Sequence, residues 1–246
     1  MGWVLLAWLV CAVVVSKQIG FEPAKVAEGM KNLVAYAARF TRPDFGDFGG
    51  LLGRMGETLV MAVWGSALAC LIAIPLSWFA SNEFSPSRGV VAVTREVCMV
   101  LQALPDLLWA LLFLQALGVG PLPGVLALGV HSAGFLSRTL ADSLDRLPRA
   151  NWEGVQACGA SRLQLVRFAG WPSIGREWVG FSLYTLDRNV RTAMILGVVG
   201  AGGIGVDLKS SFGVFDYSRA SAILILIAVV VLATDVLAGQ LRRRQA

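Results

Sequence analysis

Glu153-Gly154-Val155-Gln156-Ala157-Cys158-Gly159, running on to Trp171-Pro172, is a polar, arginine-bearing connection between strongly apolar segments. Arg138, Arg146, Arg149, Arg162, Arg167 and Arg176 surround it. Pro148 suits the first turn of a helix and Pro172 suits its termination. Trp152, Val155, Ala157, Leu163 and Val166 supply the apolar positions of residues 149–168, and Gly159 lets a short helix bend or be approached closely. The segment reads either as an exposed amphipathic helix with a partner or as an ordinary loop helix.

Outward from this connection the chain is hydrophobic. Of 246 residues, 56% are hydrophobic and only 15% charged, with a mean hydropathy of +0.68. A soluble domain carries nearer a quarter charged residues. The surplus has to face lipid, which makes this an all-α polytopic membrane protein with one membrane domain and no second soluble domain of ordinary size. The net charge of +5 fits the positive-inside rule, since Arg242-Arg243-Arg244 directly follows an apolar segment. Nothing resembles a nucleic-acid-binding fold, so no nucleic acid partner is expected. Cys11, Cys70, Cys98 and Cys158 form no metal-like pair and read as small packing residues without a disulfide.

Trp3 to Val15 is short for a span, which needs about 20 residues. It is a first transmembrane helix or a signal-peptide core. No basic residue precedes it and no clean cleavage site follows, which favours a retained helix. Within the polar stretch 17–56, Val26, Met30, Leu33, Val34 and Ala37 recur at helical spacing, an amphipathic segment at the membrane surface or against the bundle. Further spans are Thr58–Ala80, Val90–Leu117, Pro121–Leu144, Gly175–Gly205 and Ser218–Leu241. The total is six transmembrane helices, or five if the first is cleaved. The domain plan is therefore 1–56, an N-terminal helix and amphipathic segment, and 57–246, the main membrane domain with its polar connection at about 145–176. A cytoplasmic tail at 242–244 makes the 81–89 and 145–176 connections and the N-terminus cytoplasmic. Residues 17–56 and 206–217 are then extracytoplasmic.

Charges inside the spans are the candidates for function. The third span is interrupted at Ala103-Leu104-Pro105-Asp106, and such a break is tolerated in lipid only where protein or a water-lined cavity satisfies the freed groups. In the fifth, a helix starting near Glu177 puts Asp187 roughly 15 Å deep. A charge at the bilayer centre costs at least ~2.5–3.5 kcal/mol, so it faces an interior or a partner. Tyr184, Asp187, Arg188 and Arg191 share an arc of about 100°. Asp187 and Arg191, at i, i+4, are placed to pair. Two arginines against one aspartate leave one net positive charge. The stripe either lines a path for an anion or is a structural ion pair. His131, the single histidine, reads as a helix-to-helix hydrogen bond or a path-lining group, since a metal site lacks a second histidine. Arg138 and Asp142 read as an end-of-helix pair. Gly200-x-Gly202-x-x-Gly205 matches the dinucleotide fingerprint literally, but it ends an apolar helix and does not follow a strand. Gly197, Ala201 and Gly205 have the spacing for close helix contact, and with Gly200, Gly202 and Gly203 they form a packing or gate element.

The positions of Glu153, Gly159 and Pro172 resemble the cytoplasmic signature of ABC importer permeases: E-A-A, three residues, G, nine residues, I-x-L-P. Gly154-Val155 stand for the two alanines, Ala169 for the isoleucine and Trp171 for the leucine. Gly159-Ala160-Ser161-Arg162-Leu163-Gln164, residues 103–111, His131-Ser132-Ala133-Gly134-Phe135, Asn189-Val190-Arg191-Thr192-Ala193 and residues 200–205 resemble the phosphonate-type permease family. The resemblance covers residues 57–241 and leaves the first 56 unmatched. It implies a type I importer transmembrane domain in the bacterial cytoplasmic (inner) membrane. It implies that Glu153, Gly154, Val155, Ala157, Gly159, Ala160, Ser161 and Pro172 couple to a partner ATPase. Two copies of that cytoplasmic ATPase subunit would hold ATP and Mg. This chain has no G-x-x-x-x-G-K-[ST] loop, binds no cofactor and is not an enzyme. The remaining implied partners are a second permease copy, identical or a close paralogue, and an extracytoplasmic phosphonate-binding protein. Cargo would move inward by alternating access. Phosphite, phosphate or another small anion is the alternative cargo. An ion-coupled secondary transporter would use Asp187 as an ion site, but leaves the 153–172 segment without a role. An intramembrane enzyme using His131 with an aspartate lacks a second convergent motif.

Overall fold

The computed structural model describes residues 2–5, 8, 23–148 and 150–243. Most of the expected first span, Trp3 to Val15, lies outside them, as do Cys11, Arg149 and Arg244. Every regular element among the described residues is helical. In chain order they are α1 (Pro23–Ala37) with a 3₁₀ turn (Ala38–Phe40), α2 (Phe48–Ala80), α3 (Arg88–Ala103), α4 (Asp106–Leu117), α5 (Pro121–Asp145), α6 (Ala150–Ala157), α7 (Arg162–Leu165), a π-type turn (Val166–Gly170), α8 (Trp171–Leu196), a second π-type turn (Gly197–Ala201), α9 (Ile204–Gly213) and α10 (Tyr217–Arg243).

Local chemistry sets several boundaries. The Asp47 and Ser87 side chains accept from the amides of Gly50 and Val90, capping α2 and α3. Ser161 and Gln164 form a reciprocal capping box on α7. Pro105 separates α3 from α4 with an 86° bend. The carbonyls freed there find side chains: Trp109 Nε1 donates to Leu101 O at 3.0 Å, and His131 Nδ1 meets Leu104 O at 2.9 Å.

α2 and α10 are each long and apolar enough to cross a membrane, and the bent pairs 88–117 and 162–213 bring the total to four if each is one span. The expected fourth span is the 25-residue α5, which is long enough to cross a membrane but less apolar than α2 and α10. It packs against α2, α3, α4 and α8 as the central helix, with most of its residues buried. A residue that meets protein on every side does not need the lipid-facing side chains of an outer helix. Gly134 admits the α3 backbone: a Cβ there would sit 2.8 Å from Cys98 O.

Two apolar cores stack along the bundle. One joins Leu51, Met55, Leu128, Val190, Leu196, Ile204 and Ile223. The other joins Ala73, Phe84, Leu136, Leu140, Leu144, Leu165 and Ile174. The order of these residues along α2, α5 and α8 leaves a polar layer between the cores. The contacts also sort the loops by end. Asp44 N donates to Ser218 O, Arg219 pairs with Asp47 at 3.5 Å, and Ile204 N donates to Thr58 Oγ1 at 2.9 Å. Residues 44–58 and 204–219 therefore share one end. Asp145 and Arg162 reach the 81–85 loop at the other. This is the pairing of loops that alternating the spans requires.

Candidate functional site

Two sites stand out, one at the end that carries residues 145–171 and one at mid-height. The first is built from the 150–172 segment. It is not one helix over 149–168. Gly159 has φ +78°, a left-handed conformation that favours glycine, and it ends α6 before α7 begins. Pro172 sits at the start of α8 and does not terminate the preceding helix. A proline suits both places, because the first turn of a helix needs no amide hydrogen.

Glu153, Gly154 and Ala157 are exposed on α6, Val155 is half-buried, Gly159 and Ser161 are exposed, and Ala160 is half-buried. Gly154, Val155, Cys158, Gly159, Ala160, Gln164 and Phe168 line an open groove of about 480 Å³. Leu163 and Phe168 leave large apolar side chains in solvent beside it. The groove's underside is anchored. Trp152 packs its ring against Phe84, Arg162 donates to the Ser85 carbonyl, and Trp78 Nε1 donates to Phe84 O at 2.8 Å.

Asp145 holds the same end. Its carboxylate accepts from Ser81 Oγ at 2.6 Å, Asn82 N at 2.8 Å and Asn82 Nδ2 at 2.6 Å. Arg95 Nη2 adds a fourth contact at 2.9 Å. Asp142 also faces Arg95, at 3.5 Å. The expected Arg138–Asp142 pair is therefore replaced by an interhelical one. The role of Asp145 and Arg95 was missed in the sequence, since 50 residues separate them and nothing local joins them.

The second site lies in the polar layer. α8 starts at Trp171 and not near Glu177, so Asp187 is sixteen residues along it, roughly 24 Å. It remains deep: the next two residues, Arg188 and Asn189, meet His131 and Ser132 in the middle of α5. Asp187 is buried and pairs with Arg191 at 2.6 Å, as the i, i+4 spacing predicts. Arg188 Nη2 takes Asp106 Oδ2 at 3.2 Å from α4 and also meets His131 Nε2. Pro105 positions Asp106 in the first turn of α4. The expected surplus of one positive charge does not hold: Asp106 balances Arg188, leaving two carboxylates for two guanidiniums. Tyr184 shares the stripe but packs against Phe135 in a tilted ring pair at 5.9 Å.

Beside this cluster, Asn189 bridges three helices. Ser132 Oγ donates to its Oδ1 at 2.8 Å, and its Nδ2 donates to Ser66 Oγ at 3.0 Å. Asn189 is almost fully buried, so this network ties α2, α5 and α8 without reaching any path.

At the far end the glycine run makes a tight turn. Gly200, Gly202 and Gly203 all have positive φ. A Cβ on Gly205 would lie 2.4 Å from Met194 O, and one on Gly197 would lie 2.6 Å from Gly202 O. Ala201 is buried against Gly124. The small residues serve a close approach within the α8–α9 turn. Among the described residues no group of acidic, cysteine or histidine side chains could hold a metal ion.

The family model described as binding-protein-dependent transport system inner membrane component matches residues 73–246. The chain belongs to this family. It is a multi-pass inner-membrane component of an ABC transporter. It is similar to the phosphate-import permease protein PhnE of Mycolicibacterium smegmatis, 37% identical over 92% of this chain, but spans only 42% of that relative's length. It is also similar to the phosphite transport system permease protein PtxC of Stutzerimonas stutzeri, 31% identical over 90% of this chain and 81% of that one. Among solved structures it resembles the MetNI methionine ABC transporter in an inward-facing conformation, with TM-score 0.70, 19% identity and coverage of 80% and 96% of the two chains. A bacterial alginate ABC importer aligns with TM-score 0.63 and 18% identity over 98% of this chain and 96% of that one. The fold of this binding-protein-dependent component is thus the type I ABC importer transmembrane fold. Its 150–172 segment is the part that carries the signature spacing, and it is held against the 81–85 loop.

Proposed function

We propose that this chain is the membrane-spanning subunit of an ATP-driven importer of phosphorus oxyanions, with organophosphonates as the first-choice cargo. The observation that carries the oxyanion cargo is the likeness, over nine-tenths of the chain, to permeases named for phosphate and phosphite, and the phosphonate-type motifs at 103–111, 131–135 and 189–193 put organophosphonates first. The polar layer is consistent with it, because Arg188 and Arg191 offer planar donor forks suited to oxyanions. The names of those relatives favour phosphite or phosphate as the second reading. The 150–168 groove, with exposed Glu153, Leu163 and Phe168, is the proposed docking surface for a cytoplasmic ATPase. Two ATPase copies with ATP and Mg, a second permease copy and an extracytoplasmic binding protein complete the proposed complex. The groove end and both termini face the cytoplasm in this reading.

The test is growth of a strain lacking this subunit on a phosphonate, phosphite or phosphate as the phosphorus source, with plasmid rescue and vesicle uptake in parallel. Loss on phosphonate, restored by the plasmid, is the expected result. Loss confined to phosphite or phosphate moves the cargo assignment. No ATP-dependent uptake of any of the three overturns the reading.

A further inference from the structure

The two arginines of the polar layer are not equivalent. Arg191 is held by both oxygens of Asp187, at 2.6 and 3.4 Å, one turn away on the same helix. That pair moves as one body. Arg188 reaches across to α4, where Asp106 gives it a single contact at 3.2 Å. The other carboxylate oxygen, Asp106 Oδ1, is buried without a hydrogen bond.

His131 explains the orphan. Its Nδ1 faces the Leu104 carbonyl, which only accepts, so Nδ1 carries the proton. In the neutral ring Nε2 then presents a lone pair to the Arg188 N–H. It therefore has no proton to give Asp106 Oδ1, 3.5 Å away. Asp106 is an under-bonded carboxylate resting on Arg188, whose side chain keeps 29% of its surface exposed. An oxyanion with two or more free oxygens offers Arg188 a better match than one carboxylate oxygen does.

We propose that Arg188 is the oxyanion-binding residue of the path, that Asp106 is an internal competitor occupying it, and that an entering oxyanion displaces Asp106 and releases the bridge between α4 and α8. The displacement rests on the reading of the chain as a phosphorus-oxyanion importer. No proton transfer is involved. Asp106 swings from Arg188 by rotation of its own side chain in the first turn of α4. The competitor also weakens retention of the anion, because only the fraction of Arg188 that is free can bind.

The test uses the permease–ATPase complex in nanodiscs, without binding protein or nucleotide, and follows its thermal midpoint against inorganic phosphate, phosphite and methylphosphonate. Asp106→Asn keeps the shape and removes the competing charge, so the half-stabilising concentration of at least one probe falls about tenfold or more. Asp106→Glu keeps the wild-type value, and Arg188→Gln abolishes the response. If Asp106→Asn does not fold, Asp106→Ser takes its place. Equal half-stabilising concentrations in wild type and Asp106→Asn, a response retained by Arg188→Gln, or no response to any probe in Asp106→Asn overturns the proposal. Intact wild-type uptake alongside such a result sinks the competitor alone, whereas absent uptake sinks the import reading itself.

Discussion

Gly205 and Gly213 sit on the same short helix, yet a methyl group has opposite consequences at the two. At Gly205 a Cβ would meet backbone at 2.4 Å (Met194 O) and 2.6 Å (Val198 N), whereas at Gly213 nothing lies within 4 Å. Backbone cannot rotate out of the way as a side chain can, so Gly205→Ala has to prise α9 from the end of α8. Gly205→Ala is expected to yield little folded protein, and Gly213→Ala to stay within about 0.5 kcal/mol of wild type. Monodispersity and thermal midpoint after detergent extraction decide it. Small-residue spacing at Gly197, Ala201 and Gly205 made close contact legible in the sequence. The partner was not, because four-residue spacing gives a face but does not say whether a second helix or the chain's own turn fills it. Charge pairing divides the same way. Asp187–Arg191 lies one turn apart and could be read directly, whereas Arg188–Asp106 spans 82 residues.

At the scale of elements, the 150–172 segment works as a lever only if its base is stiff. That base is the Asp145 carboxylate, whose donors come from the 81–82 turn and from Arg95 on α3. Asp145→Ala strips charge-assisted bonds worth about 2–3 kcal/mol. The expected fall in thermal midpoint is about 4–12 °C. ATPase activity of the complex should also lose its coupling to transport, because the 81–85 loop, on which α6 rests through Trp152 and Phe84, is then no longer held to α5. An unchanged midpoint would remove Asp145 from the base. Glu153→Lys is the complementary case. Glu153 is exposed, so stability should hold while ATP hydrolysis uncouples from uptake. Normal uptake with normal coupling would remove Glu153 from the docking surface. The helical character of this segment was readable from its apolar spacing. Its division into α6 and α7 was not, since Gly159 fits a bend as well as an end, and Pro172 fits the close of one helix as well as the start of the next.

At the scale of the molecule, alternation of apolar spans placed 81–89 with 145–176 and 17–56 with 206–217, and the interhelical contacts bring together those same loops. The central position of α5 escaped the sequence, because a helix enclosed by others carries no lipid-facing stripe to announce it. Absolute orientation can be read by labelling, because Cys158 is exposed at the groove and Val214 at the opposite end. In a background lacking Cys11, Cys70 and Cys98, a membrane-impermeant maleimide should label Cys158 in inverted vesicles and not in intact spheroplasts. With Cys158 also replaced, Val214→Cys should give the reverse. Exchange of the two patterns would invert the protein in the membrane and place the groove out of reach of any cytoplasmic ATPase. Labelling of both positions from one side would break the two-ended arrangement itself. The pair of sites therefore tests orientation and architecture separately, which neither cysteine does alone.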